Sequence, residues 1–279
     1  EYDATGTFEA TEVLVSAEAT GRLLQFDVEE GLTLTAGQQV GLVDTVQLAL
    51  NKQQLEAGVR SVSEQRPDIS SQIAATRTQL DAAKRELHRT ENLLAAGAAN
   101  PKQLNEAEDR YRVLLAQLAA QQSSLHNSDR SLTAQTQSAD VQVAQVSDQL
   151  RKCRIAAPIA GTVLAKYAQA GEWTAPGAPL FKMADINNIY LRTYITSEQL
   201  ADVTLGQSVT VYSDYGADKQ QAYSGKVTWI SPTSEFTPKS ILTKDERASL
   251  VYAVKILVHN DGLLKIGMYG GVIFETIKE

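Results

Sequence analysis

The chain has 279 residues, a net charge of −7 and a single cysteine, with 43% hydrophobic and 6% aromatic residues. That length accommodates several small domains, the acidic balance argues against a general nucleic-acid binder, and one cysteine excludes an intrachain disulfide. No run of eighteen apolar residues occurs, so no membrane-spanning helix is expected.

Near the N-terminus, Gly6–Val13 has the texture of a strand. Val15–Val43 then reads as a string of short β segments with Gly21, Gly31 and Gly37 at its turns. The same pattern returns without a gap 140 residues later in Ile155–Met183, where Gly161, Gly171 and Gly177 take the same places. Ala17 and Leu24 likewise match Ala157 and Leu164. Three glycines in register predict three shared turns, because glycine takes positive φ at little steric cost. Each copy is too small to bury a core alone, so the two are expected to pack together as one sandwich split in sequence.

Between the copies, Val46–Lys152 carries two glycines, two prolines and one aromatic residue, Tyr111. A seven-residue repeat runs through Leu104, Tyr111, Leu118, Leu125, Leu132, Ala139 and Val146. Val59, Ile73, Leu80, Leu87 and Leu94 keep the same period in the first half, with Arg66 as the exception, and Leu55, Val62 and Ile69 form a partner row. Sustained heptads predict a coiled coil. Its turn is expected at Gly97-Ala98-Ala99-Asn100-Pro101: Gly97 stops one helix, Asn100 caps the next, Pro101 suits a first helical position, and Gln103 can complete a capping box. The arms Val46–Ala96 and Pro101–Lys152 are nearly equal, each about 75 Å long at 1.5 Å per residue, and Pro67 is expected to kink or break the outgoing arm near Arg66. Charge along the hairpin is balanced, with thirteen Lys or Arg against twelve Asp or Glu. Cys153 falls on the heptad row that ends at Val146 and reads as a buried thiol.

After the second copy, strands are expected at Asn188–Ile195, Gln207–Tyr212, Gly225–Ile230, Leu250–Val258 and Gly270–Ile277, with a short capped helix from Thr196 to about Val203. Several short strands and one small helix predict a compact antiparallel β-barrel, with the N-terminal strand pairing onto it. The resulting organisation is an α+β multidomain chain: residues 1–12 with the barrel, 13–45 and 153–187 as sandwich halves, 46–152 as the hairpin with its tip at 97–101, and 188–279 as the barrel.

This order of half-sandwich, helical hairpin, half-sandwich and barrel resembles the periplasmic adaptors of Gram-negative bacteria, the membrane fusion or hemolysin-D-like secretion proteins. In that family the sandwich is a lipoyl-type fold cut at its hairpin turn by the inserted coiled coil. The tip stretch Gly97–Glu108, GAANPKQLNEAE, is similar to the family's tip sequence. Family members dock on an outer-membrane duct through an Arg, a Leu and a Ser at fixed spacing. Arg89, Leu93 and Asn100 stand at that spacing, with Asn in place of Ser. Glu235–Tyr252, Ala253–Ile256 and Gly267-Met268 resemble adaptors that serve ABC-type exporters. The long polar stretch Glu235–Leu250, with Pro238, Lys239, Lys244 and Arg247, is the expected contact for the transporter or a second adaptor copy.

The resemblance therefore implies a non-enzymatic adaptor of a tripartite efflux or secretion system. It would link an inner-membrane transporter to a TolC-type outer-membrane channel from the periplasm, as several copies side by side. The chain begins at Glu1 without a Met, so the segment that targets it and anchors it to the inner membrane is expected outside it. The residues offer no chemistry against this reading. There is no phosphate loop, no nucleophile elbow and no Cys/His constellation, and His88, His126 and His259 share no metal-ligand spacing, so neither cofactor nor metal is expected. The competing class is a lipoyl or biotinyl carrier domain of a multi-enzyme complex. Such a domain needs a lysine at a β-hairpin tip, whereas the first copy ends Gly41–Thr45 without one and Lys182 of the second lies at the end of its half-sandwich.

Overall fold

The computed structural model describes residues 2–215, 220–236 and 250–274. The chain divides into two compact units, Thr45–Arg151 and the combination of Glu1–Asp44 with Lys152–Glu279.

The first unit is helical: α1 spans Val46–Glu64, α2 Ile69–Ala95 and α3 Pro101–Lys152. Seam residues of α2 follow the three-four spacing of a coiled coil, with Ile73, Thr76, Ala83 and Thr90 buried. On α3 the predicted row is buried or half-buried throughout, Leu118 and Val146 most deeply. Three side-chain contacts fix an antiparallel register. Arg66 holds Asp129 with two hydrogen bonds of 2.8 and 3.2 Å, Thr76 donates to Gln121 at 2.9 Å, and Gln121 donates to the Gln72 carbonyl at 3.0 Å. All three are centred within two residues of Gly97–Ala98, where the chain turns.

Pro67 breaks the outgoing arm outright. The first helix closes on Gln65, and the second starts from Asp68, whose carboxylate accepts from the Ser71 N–H at 3.2 Å and from the Ser70 and Ser71 hydroxyls at 2.6 Å each. Those donors, the Ser70 hydroxyl first, hold the Asp68 carboxyl down at about 2. Arg66, the residue that interrupts the heptad row, lies in the break and braces it against Asp129 of the opposite helix, α3.

The second unit contains a sandwich and a barrel. In chain order the strands are β1 Ala4–Glu9, β2 Glu12–Ser16, β3 Gly21–Phe26, β4 Thr33–Leu34 and β5 Gln39–Val43 before the hairpin. After it come β6 Arg154–Ala156, β7 Gly161–Lys166, β8 Trp173–Thr174 and β9 Pro179–Ala184, then β10 Asn188–Thr196, β11 Ser208–Asp214, β12 Gln220–Ile230, β13 Glu235–Phe236, β14 Leu250–His259 and β15 Tyr269–Phe274. Two four-stranded sheets, β2-β9-β7-β4 and β6-β5-β3-β8, each take two strands from each sequence copy. The pairing is reciprocal. Gly31 N–H donates to the Val163 carbonyl at 2.9 Å, and its counterpart Gly171 donates to Leu23 at 2.7 Å. Gly37 donates to Ala157 at 2.8 Å, and Gly177 to Ala17 at 2.9 Å. These four glycines sit at φ of 84°, 93°, 78° and 88°, in the left-handed region that explains why both copies keep them. Leu23, Leu34, Phe181 and Met183 fill the interior, and burial of each such side chain contributes about 2 kcal/mol.

Cys153 is fully buried, but in this unit and one residue before β6, rather than on the coiled-coil seam. Its carbonyl accepts from Val43 N–H at 2.8 Å, and burial, aided by the Asp44 charge, pushes its thiol pKa up.

The N-terminal strand is two strands. The first, β1, belongs to the barrel and β2 to the sandwich, because the chain crosses between them at Ala10-Thr11. The barrel runs β10-β1-β15-β11-β12-β14 and closes through β14 onto β10, while β13 extends the β14 pairing beyond β12. Closure leaves no open edge among these six strands. Strict alternation along β10 puts Ile189, Leu191 and Ile195 into a core shared with Phe8, Val211, Ile256 and Val272. The expected helix after Thr196 is only a 3-10 turn over Gln199–Ala201. Thr196 and Gln199 do make the reciprocal side-chain bonds, at 2.9 and 3.4 Å.

Candidate functional site

The hairpin tip is built by two opposed punctuation marks. At the end of α2, Gly97 adopts φ of 73°, which lets Ala98 N–H reach back to the Leu93 carbonyl at 2.8 Å and Gly97 N–H to Leu94 at 3.0 Å. That is a Schellman closure, and it satisfies carbonyls the helix end would leave bare. At the start of α3, Asn100 Oδ1 accepts from Gln103 N–H at 2.9 Å while Gln103 Oε1 accepts from Asn100 N–H at 3.1 Å. This reciprocal capping box, with Pro101 at the first helical position, fixes the tip in five residues. Asn100 therefore spends its carbonyl oxygen on the cap and leaves only its amide nitrogen for anything else.

Arg89 and Leu93 are one turn apart on the same face of α2. The Arg89 side chain is 72% exposed and meets Glu86 at 3.8 Å, a surface pair too long and too solvated to hold it. Leu93 is 39% exposed, whereas its neighbour Leu94 turns inward. The face continues away from the tip through Glu86 and Ala82 at the same helical spacing. Those two residues line an open groove between α2 and α3, with Ala83 and Ala107 as its floor and Arg110 and Val113 on its far wall. Sequence inspection singled out Arg89 and Leu93 but missed the groove. Its signal was the run of small residues, Ala82, Ala83 and Ala107, at positions where the two helices face each other.

Pro238, Lys239, Lys244 and Arg247 lie outside the described residues. Lys182 stands within β9 and pairs with Glu12 on β2 at 2.9 Å, which raises its pKa through that hydrogen bond and charge. It is not at a hairpin tip, where a carrier domain would present its lysine. Among the described residues no cluster of three or more His, Cys, Asp or Glu could hold a metal, and no helix is long and apolar enough to cross a membrane.

The chain matches no family model. It is 27% identical over 284 residues to a UPF0194 membrane protein of Yersinia pseudotuberculosis, covering 94% of this chain and 86% of that one. It is 28% identical over 289 residues to the UPF0194 membrane protein YbhG of Salmonella gallinarum, at 94% and 85% coverage. Among solved structures, MacA from Actinobacillus actinomycetemcomitans superposes with a TM-score of 0.57 at 21% identity over 96% of this chain and 76% of its own. The membrane fusion protein Spr0693 from Streptococcus pneumoniae R6 superposes with a TM-score of 0.55 at 18% identity, over 98% of both chains. This chain has the membrane fusion protein fold. A MacA–MexA chimera containing the MexA α-hairpin domain of Pseudomonas aeruginosa matches it equally well, with a TM-score of 0.58 at 22% identity. The insertion between the sandwich halves ends in the capped tip, and Arg89 and Leu93 stand exposed on α2 beside it.

Proposed function

We propose that the chain is a periplasmic adaptor that joins an inner-membrane transporter to an outer-membrane channel in a tripartite efflux or secretion system. It acts as a connector without catalysis, in several copies side by side. The observation that carries this reading is the continuous face Ala82–Glu86–Arg89–Leu93, which runs from an open groove to a tip stiffened by a Schellman closure and a capping box. A binding surface on a preorganised helical end loses little entropy on docking. The interleaved sandwich fits a lipoyl-type domain with the hairpin inserted at its turn. The resemblance of the region around Glu235–Ile256 to exporter adaptors supports an ABC-type transporter, with Pro238, Lys239, Lys244 and Arg247 at that contact. Arg89, Leu93 and the Asn100 amide dock on a TolC-type channel.

A photoreactive amino acid placed at Arg89 or Leu93 in intact cells tests the docking. The expected product is an adduct with an outer-membrane channel, and an Arg89→Asp, Leu93→Asp double variant loses export while keeping its helix content. Normal export by that well-folded double variant refutes the assignment.

A further inference from the structure

Two short connections join the sandwich to the barrel: Ala10-Thr11 between β1 and β2, and Asp185–Asn187 between β9 and β10. Two crossings of two and three residues already restrict bending. One loop, residues 260–268 between β14 and β15, bonds the second directly and the strand that leads into the first. Asn260 is the centre of it, only 7% exposed. Its backbone N–H donates to the Asn187 carbonyl at 2.8 Å, and its side-chain Nδ2 donates to the Ile186 carbonyl at 2.8 Å and to Leu264 at 3.1 Å. Its Oδ1 accepts from the Gly262 and Leu264 N–H groups at 2.9 and 3.0 Å. An asparagine amide has two donor hydrogens and two acceptor lone pairs, and all four are used.

The far end of the same loop bonds the strand that leads into the other crossing. Gly267 N–H donates to the Phe8 carbonyl at 2.7 Å, and Phe8 N–H donates to Met268 at 2.8 Å, two residues before Ala10. Leu264, 2% exposed, anchors the loop in the barrel core, against which Ala10 also packs. On the sandwich side, Asp185 accepts from Asn187 N–H at 3.0 Å and from the Asn188 side chain at 2.8 Å, so the second crossing is itself a closed turn.

We infer that residues 260–268 form a clamp that locks the sandwich–barrel joint, with Asn260 as its pin. The joint then transmits a displacement of the barrel to the sandwich instead of absorbing it by bending. Asn260 is a positioning residue. Its buried amide makes bonds that no shorter or apolar side chain replaces, and a bare Ile186 carbonyl inside the joint is costly.

Spin labels on the exposed residues Glu18 in the sandwich and Ser224 in the barrel, in the full chain with Cys153→Ala, report the joint as a distance distribution. The expected result is one narrow distance for the parent. In Asn260→Asp the width at least doubles, because that variant keeps the acceptor for Gly262 and Leu264 but loses the donor to Ile186. Leu263→Ser, on the exposed side of the same loop, leaves the width unchanged. An unaltered width in folded Asn260→Asp, or equal broadening in Leu263→Ser, overturns the clamp. Amide hydrogen exchange on the unmodified protein decides independently of any variant's folding. The Asn260 amide should exchange within about tenfold of the β14 core amides, and exchange as fast as that of an exposed loop refutes a locked joint.

Discussion

Asn100 has two assignable roles, a helix cap and a docking contact, and one substitution separates them. Its Oδ1 bonds the Gln103 N–H at 2.9 Å, and among the described residues its Nδ2 makes no bond. Asn100→Ala removes the acceptor and leaves an orphan N–H in the first turn of α3, at a cost of about 1 kcal/mol. For a unit the size of Thr45–Arg151 that lowers the melting temperature by roughly 4 °C. Asn100→Asp keeps an oxygen at the same place and adds a negative charge at a helix N-terminus, which is favourable by about 0.5 kcal/mol. Thermal melts of the full chain followed by helical circular dichroism should therefore rank Asp at or above the parent and Ala below both. Channel capture from the Arg89 position, measured on the same variants, then reads the second role. Asp loses capture despite its intact fold if the amide nitrogen touches the channel. A melt in which Asp falls as far as Ala refutes the cap argument, because it would mean that the Oδ1 contact does not hold the turn.

The two sequence copies make a symmetric prediction. Gly37→Ala and Gly177→Ala should each cost about 1–2 kcal/mol of left-handed strain with no steric part, since an added Cβ meets nothing within 4 Å at either site. Gly161→Ala should cost more in the same denaturation assay, because its Cβ would collide with the Ala184 backbone carbonyl. The Asp68 carboxyl, held at about 2 against an unfolded value near 3.9, stabilises α2 only while ionised. The protection of the Ser70–Gln72 amides, taken relative to their intrinsic exchange rate at each pH, should fall as pH drops from about 4 toward 2, and Asp68→Asn should flatten that response. An equal response in the variant refutes Asp68 as its source.

Elements whose cause is local were legible in the sequence. Gly97, Asn100 and Pro101 each act through their own backbone, so the turn is placed where they stand. Two of the three matched glycine pairs, Gly31/Gly171 and Gly37/Gly177, revealed the paired half-sandwiches because left-handed turns demand a residue type rather than a partner; the third pair, Gly21 and Gly161, opens strands β3 and β7 instead of making a shared turn. What stayed hidden depends on groups distant in sequence. Arg66 looked like a flaw in the heptad row, and only Asp129, 63 residues away, makes it a brace. Asn260 stands in an Asn-Asp-Gly run whose local signal is only a turn, although its side chain reaches Ile186, 74 residues earlier. The split of the N-terminal strand was invisible for a related reason. Gly6–Val13 reads as one strand, and only the two sheets that claim its ends decide where it breaks.

The interleaving of the sandwich has a kinetic consequence. Strands β5 and β6 flank the whole helical insertion and pair directly, Leu42 opposite Arg154. Closing an unstructured loop of that length costs about 4 kcal/mol of chain entropy before a single sheet contact offsets it. Helical hairpins form from local contacts in microseconds to milliseconds, whereas sheets of high sequence separation are slow. The expected order is that the hairpin zips first from its capped tip, delivers the two halves to each other, and turns a long-range search into a short one. Deleting equal numbers of heptads from both arms should leave the folding rate of the sandwich nearly unchanged, whereas substituting a flexible linker of the original length should slow it severely.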